Sequence, residues 1–473
     1  MDETRKRART GNKEVASAPA TKAPQSPQST DATAAATKIA ELRAELEALK
    51  ESHDVVVNEL RAKVDALQAE NESRKREIEG LTSALQWAYG VERIPGTHWF
   101  ERGHSEEYAD AMENLLSSMK ESIMDLRMGT VSNDFGESIN IDFDLLDEDA
   151  SFIRADHDEL LMPYWKELAA ALRHWSEYHA DGKCLEVETN QIELPNAVLD
   201  ILRPAFEESR IKRVCFDNYR HNRDMAGFVK KVLQTNHFVT RLGFIGIKFS
   251  QEDVETLCDA IKSRNAEGQP IKGLALASCF EGGIDTRTLT TVLASTTSGS
   301  AKEVGLHLYG NGMSSREAAI IAEFLNSNPS LAYLWLDDNQ FNNADAAVLA
   351  SSLSNNTQLR SIWINKCRIQ EDGRLAFLRA VFDVSSLSSC AASNHTCRVH
   401  GFEQDISVLN MKKQSTLNKW NKILAMLALS SEDSFINTAL LRGVPVKLIP
   451  VMLDKFNYEW CTDDYHELTD VYL

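Results

Sequence analysis

LAYLWLDDNQF, Leu331 to Phe341, is the stretch that decides the fold. Successive side chains of a strand point to opposite faces, so Leu334 and Leu336 share one face while Tyr333 and Trp335 share the other. Asn339 and Phe341 then follow at a turn. An indole and a phenol stand where a half-buried strand normally shows polar groups, and nothing local to the strand requires them.

Working outward, the same pattern recurs along the chain. With units starting at Gly182, Ile211, Val239, Ile271, Glu303, Leu331, Leu359 and Leu387, the steps are 29, 28, 32, 32, 28, 28 and 28 residues. Offsets three and five from each start give Leu185 and Val187, Val214 and Phe216, Leu242 and Phe244, Leu274 and Leu276, Leu306 and Leu308, Leu334 and Leu336, and Ile362 and Ile364. These are the inward pairs of short strands. Offset eight gives Asn190, Cys279, Asn311, Asn339 and Cys367, residue types that satisfy backbone groups inside a buried turn. Offset eleven supplies Ser250, Ser314 and Asn342, each with an acidic residue three positions on (Asp253, Glu317, Asp345), which is the capping-box spacing of a helix start. Offsets eighteen and twenty-two then mark one helix face, from Val229 and Leu233 to Phe377 and Val381. A strand-helix unit of this size buries its apolar face only against a neighbour, so the units stack.

Residues 182–397 resemble the leucine-rich repeat of the ribonuclease-inhibitor type, whose units of about 28 residues alternate strand and helix. The pattern departs from the family at the two 32-residue steps and where Tyr219 and Ile247 replace Asn or Cys. The resemblance implies a curved solenoid with strands lining its concave side and protein binding there. The predicted class is therefore α/β, a leucine-rich-repeat solenoid preceded by a coiled-coil helix. Beyond Leu387 the pattern weakens, with Cys390 at offset three and Cys397 at offset ten, the slot filled earlier by Met313, Phe341 and Ile369.

The flanks divide by composition. Residues 1–35 are rich in Ala, Thr, Ser, Pro and Gln and lack large apolar side chains, the signature of a disordered tail. Residues 36–86 carry a heptad seam: Ile39, Leu42, Leu46, Leu49, His53, Val56 and Leu60, then a stutter to Val64, then Leu67, Asn71, Arg74, Ile78, Leu81 and Leu85. Glu, Lys and Arg flank this seam, and Asn71 inside it would fix register, so a coiled coil is expected, with homodimerisation or a partner helix as its purpose. Residues 87–181 read as a connecting region and N-terminal cap. They hold an amphipathic stretch from Tyr108 to Met128, an acidic linker INIDFDLLDEDASF, and a helix from Glu159 to His179 whose Leu161, Trp165, Leu168, Leu172 and Trp175 share one face and shield the first edge of the repeats. Residues 398–473 read as a helical C-terminal cap.

Several functions are argued against. Lys and Arg number 51 against 70 Asp and Glu, a formal charge of −19, and no basic patch stands out in the folded part, so nucleic acid is not an expected partner. Cysteines are scattered singly, the first residues lack the apolar core of a secretory signal, and no stretch approaches the roughly 20 apolar residues of a membrane span, so neither a membrane nor an oxidising compartment is expected. A cytoplasmic place follows, or a nuclear one if Arg5, Lys6, Arg7 and Arg9 act as an import signal. Cys390, His395, Cys397 and His400 suggest zinc, but the repeat phase turns both cysteines into the core. Asp147, Asp149, Ser151 and Asp158 have calcium-loop spacing, but Phe152 stands where that loop needs Gly. No phosphate loop, nucleophile elbow or metalloprotease motif is present, and neither an enzyme nor a cofactor is expected.

The aromatic residues of the opening stretch then find a purpose. Offsets two, four, six and seven point away from the core, and in the later units they are His307 and Tyr309, then Tyr333, Trp335, Asp337 and Asp338, then Trp363, Asn365 and Lys366. Trp335 and Trp363 hold the same offset on successive strands, so their rings should lie side by side about 5 Å apart. The earlier units offer basic or small residues there: Arg213, Cys215, Arg241, Gly243, Gly273 and Ala275. Clustered aromatics on an outer face have the composition of an interface hot spot. The predicted function is an intracellular adaptor or scaffold. His307, Tyr309, Tyr333, Trp335, Asp337, Asp338, Trp363 and Lys366 contact a protein partner, and the two aspartates favour a basic surface on it. The alternatives are a regulator of a small GTPase, or a structural role for the coiled coil alone.

Overall fold

The computed structural model describes residues 30–131, 137–147, 151–217, 224–280, 282–431 and 446–448. The basic run at Arg5 to Arg9, Asp149, Tyr219 and most of the predicted C-terminal cap lie outside them. The chain divides into two compact units, Met1–Arg76 and Glu77–Leu473.

The described residues of the first unit form the greater part of helix α1, Thr30–Gly90, 61 residues long. The helix starts at Thr30, inside the segment expected to be a disordered tail. Its seam faces solvent, with Ile39 at 51% and Leu49 at 70% exposure. Pairs one turn apart, such as Lys63 with Glu59 (2.7 Å) and Arg74 with Glu70 (2.6 Å), support the helix from outside the core. The last turns of α1 belong to the second unit. Ala84 and Ala88 are buried there, and Gly80 approaches His174 so closely that a Cβ would lie 2.7 Å from the imidazole. After Arg76 the helix packs into the second unit through Gly80, Ala84 and Ala88, whereas the seam residues Ile78 and Leu85 stay exposed.

The second unit is a nine-stranded sheet in strict chain order, parallel throughout. Its strands are β1 (Ser138–Asp142), β2 (Leu185–Asn190), β3 (Ile211–Asp217), β4 (Arg241–Ile245), β5 (Gly273–Ala277), β6 (Val304–His307), β7 (Leu331–Trp335), β8 (Ser361–Trp363) and β9 (Arg398–His400). Parallel neighbours need a crossover, and helices supply it. Before β1 come α2 (Gly96–Glu101) and α3 (Glu106–Met128), and before β2 comes α4 (Met162–Tyr178). The crossovers that follow are α5 (Asn196–Glu208), α6 (Met225–Thr235), α7 (Gln251–Ala266), α8 (Thr286–Thr296), α9 (Ser315–Asn326), α10 (Asn343–Ser352), and finally α11 (Glu371–Val381) with α12 (Leu387–Ala392). Helix α13 (Ser415–Ser431) follows the sheet. Among the described residues no helix is long and apolar enough to cross a membrane.

Every offset-three and offset-five residue named from the sequence, Leu185 through Ile364, is buried in one continuous core with the helix pairs such as Leu289 and Leu293. The three capping boxes at Ser250, Ser314 and Asn342 form. Inside the turns, Asn311 Nδ2 donates to Leu276 O (2.7 Å) while its Oδ1 accepts from Cys279 N (2.9 Å), and Asn339 repeats this one unit later. Asn190 does not join this ladder; its side chain donates to Asn140 across to β1.

Three expectations are corrected. The acidic linker begins with a strand: Ile139 and Ile141 are buried, so Ser138–Asp142 extends the sheet. That strand, rather than the Glu159 to His179 segment, occupies the edge, although Leu161, Trp165, Leu168, Leu172 and Trp175 are all buried as their spacing requires. The last unit is also out of phase. Cys390 lies on α12, and the strand paired with β8 comes later, with Val399 beside Ile362 and His400 beside Trp363, so the sheet passes the predicted boundary at residue 397.

Lys422 of α13 is buried, and its Nζ donates to Val381 O (2.5 Å), Asn394 O (3.0 Å) and Asn410 Oδ1 (2.6 Å). Burial pushes its pKa down to about 7. An unfolded lysine keeps its proton to about pH 10.4, so above pH 7 the unfolded chain binds more protons at this site and stability rises with pH. The rise should end near pH ~8.5, where unfolded thiols begin to ionise, because burial pushes the Cys390 thiol up to about 12 in the fold. Thermal midpoints measured between these limits should climb for the native chain and stay level in Lys422→Met.

Candidate functional site

Parallel in-register strands place equivalent offsets in rows across the sheet, about 4.8 Å apart. On the face opposite the buried pairs, one row runs Glu188, Cys215, Gly243, Ala275, His307, Trp335, Trp363 and His400. The second half of this row is a pile of rings. His307 stacks on Trp335 at 3.6 Å between centroids, Trp335 on Trp363 at 4.3 Å and 3°, and Trp363 on His400 at 4.8 Å. Tyr333 leans on both indoles, 6.0 and 6.4 Å away. The indoles are as close as their offsets predict. Their faces cover one another, so the pile presents ring edges to the outside.

The neighbouring row runs Glu186, Arg213, Arg241, Gly273, Gly305, Tyr333 and Ser361. Two glycines in succession leave a gap between the guanidinium of Arg241 and the ring of Tyr333. The result is a cavity of about 750 Å³, floored by Gly273 and Gly305 and walled by the rings of Tyr333, Trp335 and His307 on one side. Arg213, Arg241, Lys272, Lys302, Glu303 and Trp363 line the rest. Trp335 overhangs the floor, since a Cβ on Gly305 would stand 3.4 Å from its ring.

The charges are partly matched. Arg213 is paired with Glu186 and Glu188, Arg241 approaches Glu186 at 3.9 Å, and Glu303 is paired with Arg360 at 2.8 Å. Lys272 and Lys302 make no ion pair among the described residues, so the cavity is left positive. Burial beneath the rings, with the charge of Arg213 adding to it, pushes the His307 pKa down to about 4. His400 is lowered too, mainly by burial. Both rings therefore stand neutral at pH 7.

The residues singled out from the sequence fall into two groups. His307, Tyr333, Trp335 and Trp363 come together at the cavity. Tyr309, Asp337, Asp338 and Lys366 do not line it, because β6, β7 and β8 end at His307, Trp335 and Trp363, and these residues lie in the turns beyond. Asp338 and Lys366 sit in left-handed backbone (φ 54° each), and Asp337 Oδ1 accepts from Asn365 N at 2.7 Å. The negative charge expected to select a basic partner therefore lies outside the cavity, and the cavity itself is cationic. This also corrects the expectation of no basic patch. His400 was missed because the repeat phase was extrapolated through α12. Lys272 and Lys302 were missed because offset one and the residue before a unit were not counted as outward positions. The four residues weighed as zinc ligands are split: His400 is in the ring pile, whereas Cys390 and Cys397 are in the core and His395 Nδ1 stands 3.4 Å from Lys422 Nζ.

No protein-family model matches the chain, and no curated protein matches it either.

Proposed function

We propose that this protein is a binding adaptor, a leucine-rich-repeat solenoid that grips a partner protein on its concave, strand-lined face. The observation that carries this is the ring pile of His307, Trp335, Trp363 and His400 beside a positive cavity. The core lies on the other side of the strands, so the fold needs none of these rings. Edge-presenting aromatics next to unpaired cations have the make-up of an interface centre. The cavity's charge favours an acidic segment on the partner, which replaces the basic surface suggested by Asp337 and Asp338. Affinity capture with the native chain and with Trp335→Ala/Trp363→Ala tests this. The partner should be retained by the first and lost by the second, and equal retention would refute the proposal.

The seam of α1 supports a second element, self-association into a parallel coiled coil. A parallel, in-register pair sets Asn71 against its copy and flanks the seam with Glu45 beside the partner's Lys50 and Glu70 beside the partner's Lys75. The antiparallel pair that matches Leu46 with Leu81 would instead face Lys50 with Lys75 and Glu59 with Glu70. Arg74, which would meet its copy in the parallel form, is held by Glu70 at 2.6 Å. Sedimentation equilibrium should show a dimer that Leu46→Glu/Leu60→Glu converts to monomer. Oxidised Val56→Cys should crosslink to its copy in the parallel form only.

A further inference from the structure

The cavity over Gly273 and Gly305 has a shape that the adaptor role by itself does not require. In its row the flanking strands carry Arg241 and Tyr333, so the two glycines remove two side chains from the middle of a continuous line. At strand spacing, Arg241 and Tyr333 are separated by roughly 14 Å. Neither Gly273 nor Gly305 has the positive φ that would demand glycine; the nearest atoms to a Cβ at Gly273 belong to the flexible Arg241 side chain, at 3.3 Å, and one at Gly305 would stand 3.4 Å from the Trp335 ring. Backbone geometry therefore leaves the gap unexplained, whereas an occupant would explain it. That occupant meets an aromatic wall on one side, Arg241 on the other, and at the rim Lys272 and Lys302, which make no ion pair among the described residues, beside Glu303, which is held by Arg360.

We propose that this cavity takes an aromatic side chain from a short acidic segment of the partner protein. The ring enters the glycine gap against Tyr333 and Trp335, and carboxylates on either side of it reach Arg241, Lys272 and Lys302. The volume of about 750 Å³ exceeds a single side chain and suits a few residues of extended peptide. A single-stranded nucleic acid would also offer rings and negative charge, but the chain's formal charge of −19 opposes a long polyanion, whereas a few carboxylates suffice for the local cations. This assignment rests on the proposal that the strand-lined face binds a protein.

Fluorescence anisotropy of the full chain tests it. The probe is a fluorescein-labelled peptide with one tryptophan flanked on both sides by glutamates. The controls are the same peptide with alanine for tryptophan, one with lysines for the glutamates, and labelled oligothymidine. The tryptophan-glutamate peptide should bind at least about tenfold more tightly than each control, and Gly273→Leu, which fills the gap, should weaken it at least about tenfold. Lys272→Glu/Lys302→Glu alters only exposed side chains and should weaken it similarly, so the outcome stands even if Gly273→Leu fails to fold. Equal binding of the alanine peptide, tighter binding of oligothymidine, no binding at all, or indifference to these variants would each overturn the assignment. Loss of the captured partner on Trp335→Ala/Trp363→Ala, together with no peptide binding, would discard the cavity and keep the face. Capture unaffected by the tryptophan variant would discard the face itself.

Discussion

Asn339→Leu should lower the free energy of unfolding by about 4 kcal/mol, because it orphans buried backbone groups in two adjacent units. Asn339 is 1% exposed. Its Oδ1 accepts from Asn311 N (3.1 Å) and Met313 N (3.0 Å), and its Nδ2 donates to Leu308 O (3.1 Å), Leu336 O (2.8 Å) and Asp337 O (3.1 Å). Leucine has the same size and none of these bonds. Urea unfolding with an unchanged m-value measures the loss as a lower midpoint. Asn339→Cys should cost clearly less, since Cys279 and Cys367 fill the same slot and their thiols lie against Phe244 O (3.3 Å) and Leu336 O (3.5 Å). Equal midpoints for leucine and cysteine would mean that the ladder does not hold the turns.

Trp335→Ala/Trp363→Ala should weaken partner binding about 100-fold, or ~2.8 kcal/mol, while the sheet stays folded. Leu334, Leu336, Ile362 and Ile364 keep the core, because they lie on the opposite side of β7 and β8. The stability loss is limited to ring stacking and partial burial, about 1–2 kcal/mol. Trp335 should matter more than Trp363, since it alone both stacks within the pile and overhangs the cavity floor. The pile also reports on itself. With Trp335 gone, water reaches His307, and its pKa should climb from about 4 towards the ordinary histidine range. An NMR titration of that imidazole separates a dismantled pile, in which the value moves, from one that has re-formed on Tyr333.

Much of the fold was legible because its physics is periodic. The alternation of Leu334 and Leu336 with Tyr333 and Trp335 fixes which face is core, and repetition at 28 to 32 residues says that each strand lies beside the next. The caps at Ser250, Ser314 and Asn342 are local hydrogen bonds within four residues, so spacing alone reveals them. β1 and β9 escaped because both lie outside the regular period. β1 is hidden in an acidic stretch where only Ile139 and Ile141 alternate, and β9 is three residues long after an extra helix.

For the site, the sequence by itself placed Trp335 and Trp363 side by side, since equal offsets on adjacent parallel strands fall in one row across the sheet. Only the tertiary structure decided that Arg213, Arg241, Lys272 and Lys302 surround one glycine-floored cavity and that His400 ends the ring pile. Those residues are far apart along the chain, and Lys272 and Lys302 lie off the offset that Arg213 and Arg241 share. Their meeting depends on where each strand starts and stops, on the register shift between Val304 and Gly305, and on the absence of side chains at Gly273 and Gly305. A charge total of −19 hides such a cluster because charge sums over the whole chain, whereas a cavity responds only to the groups within a few ångströms of it.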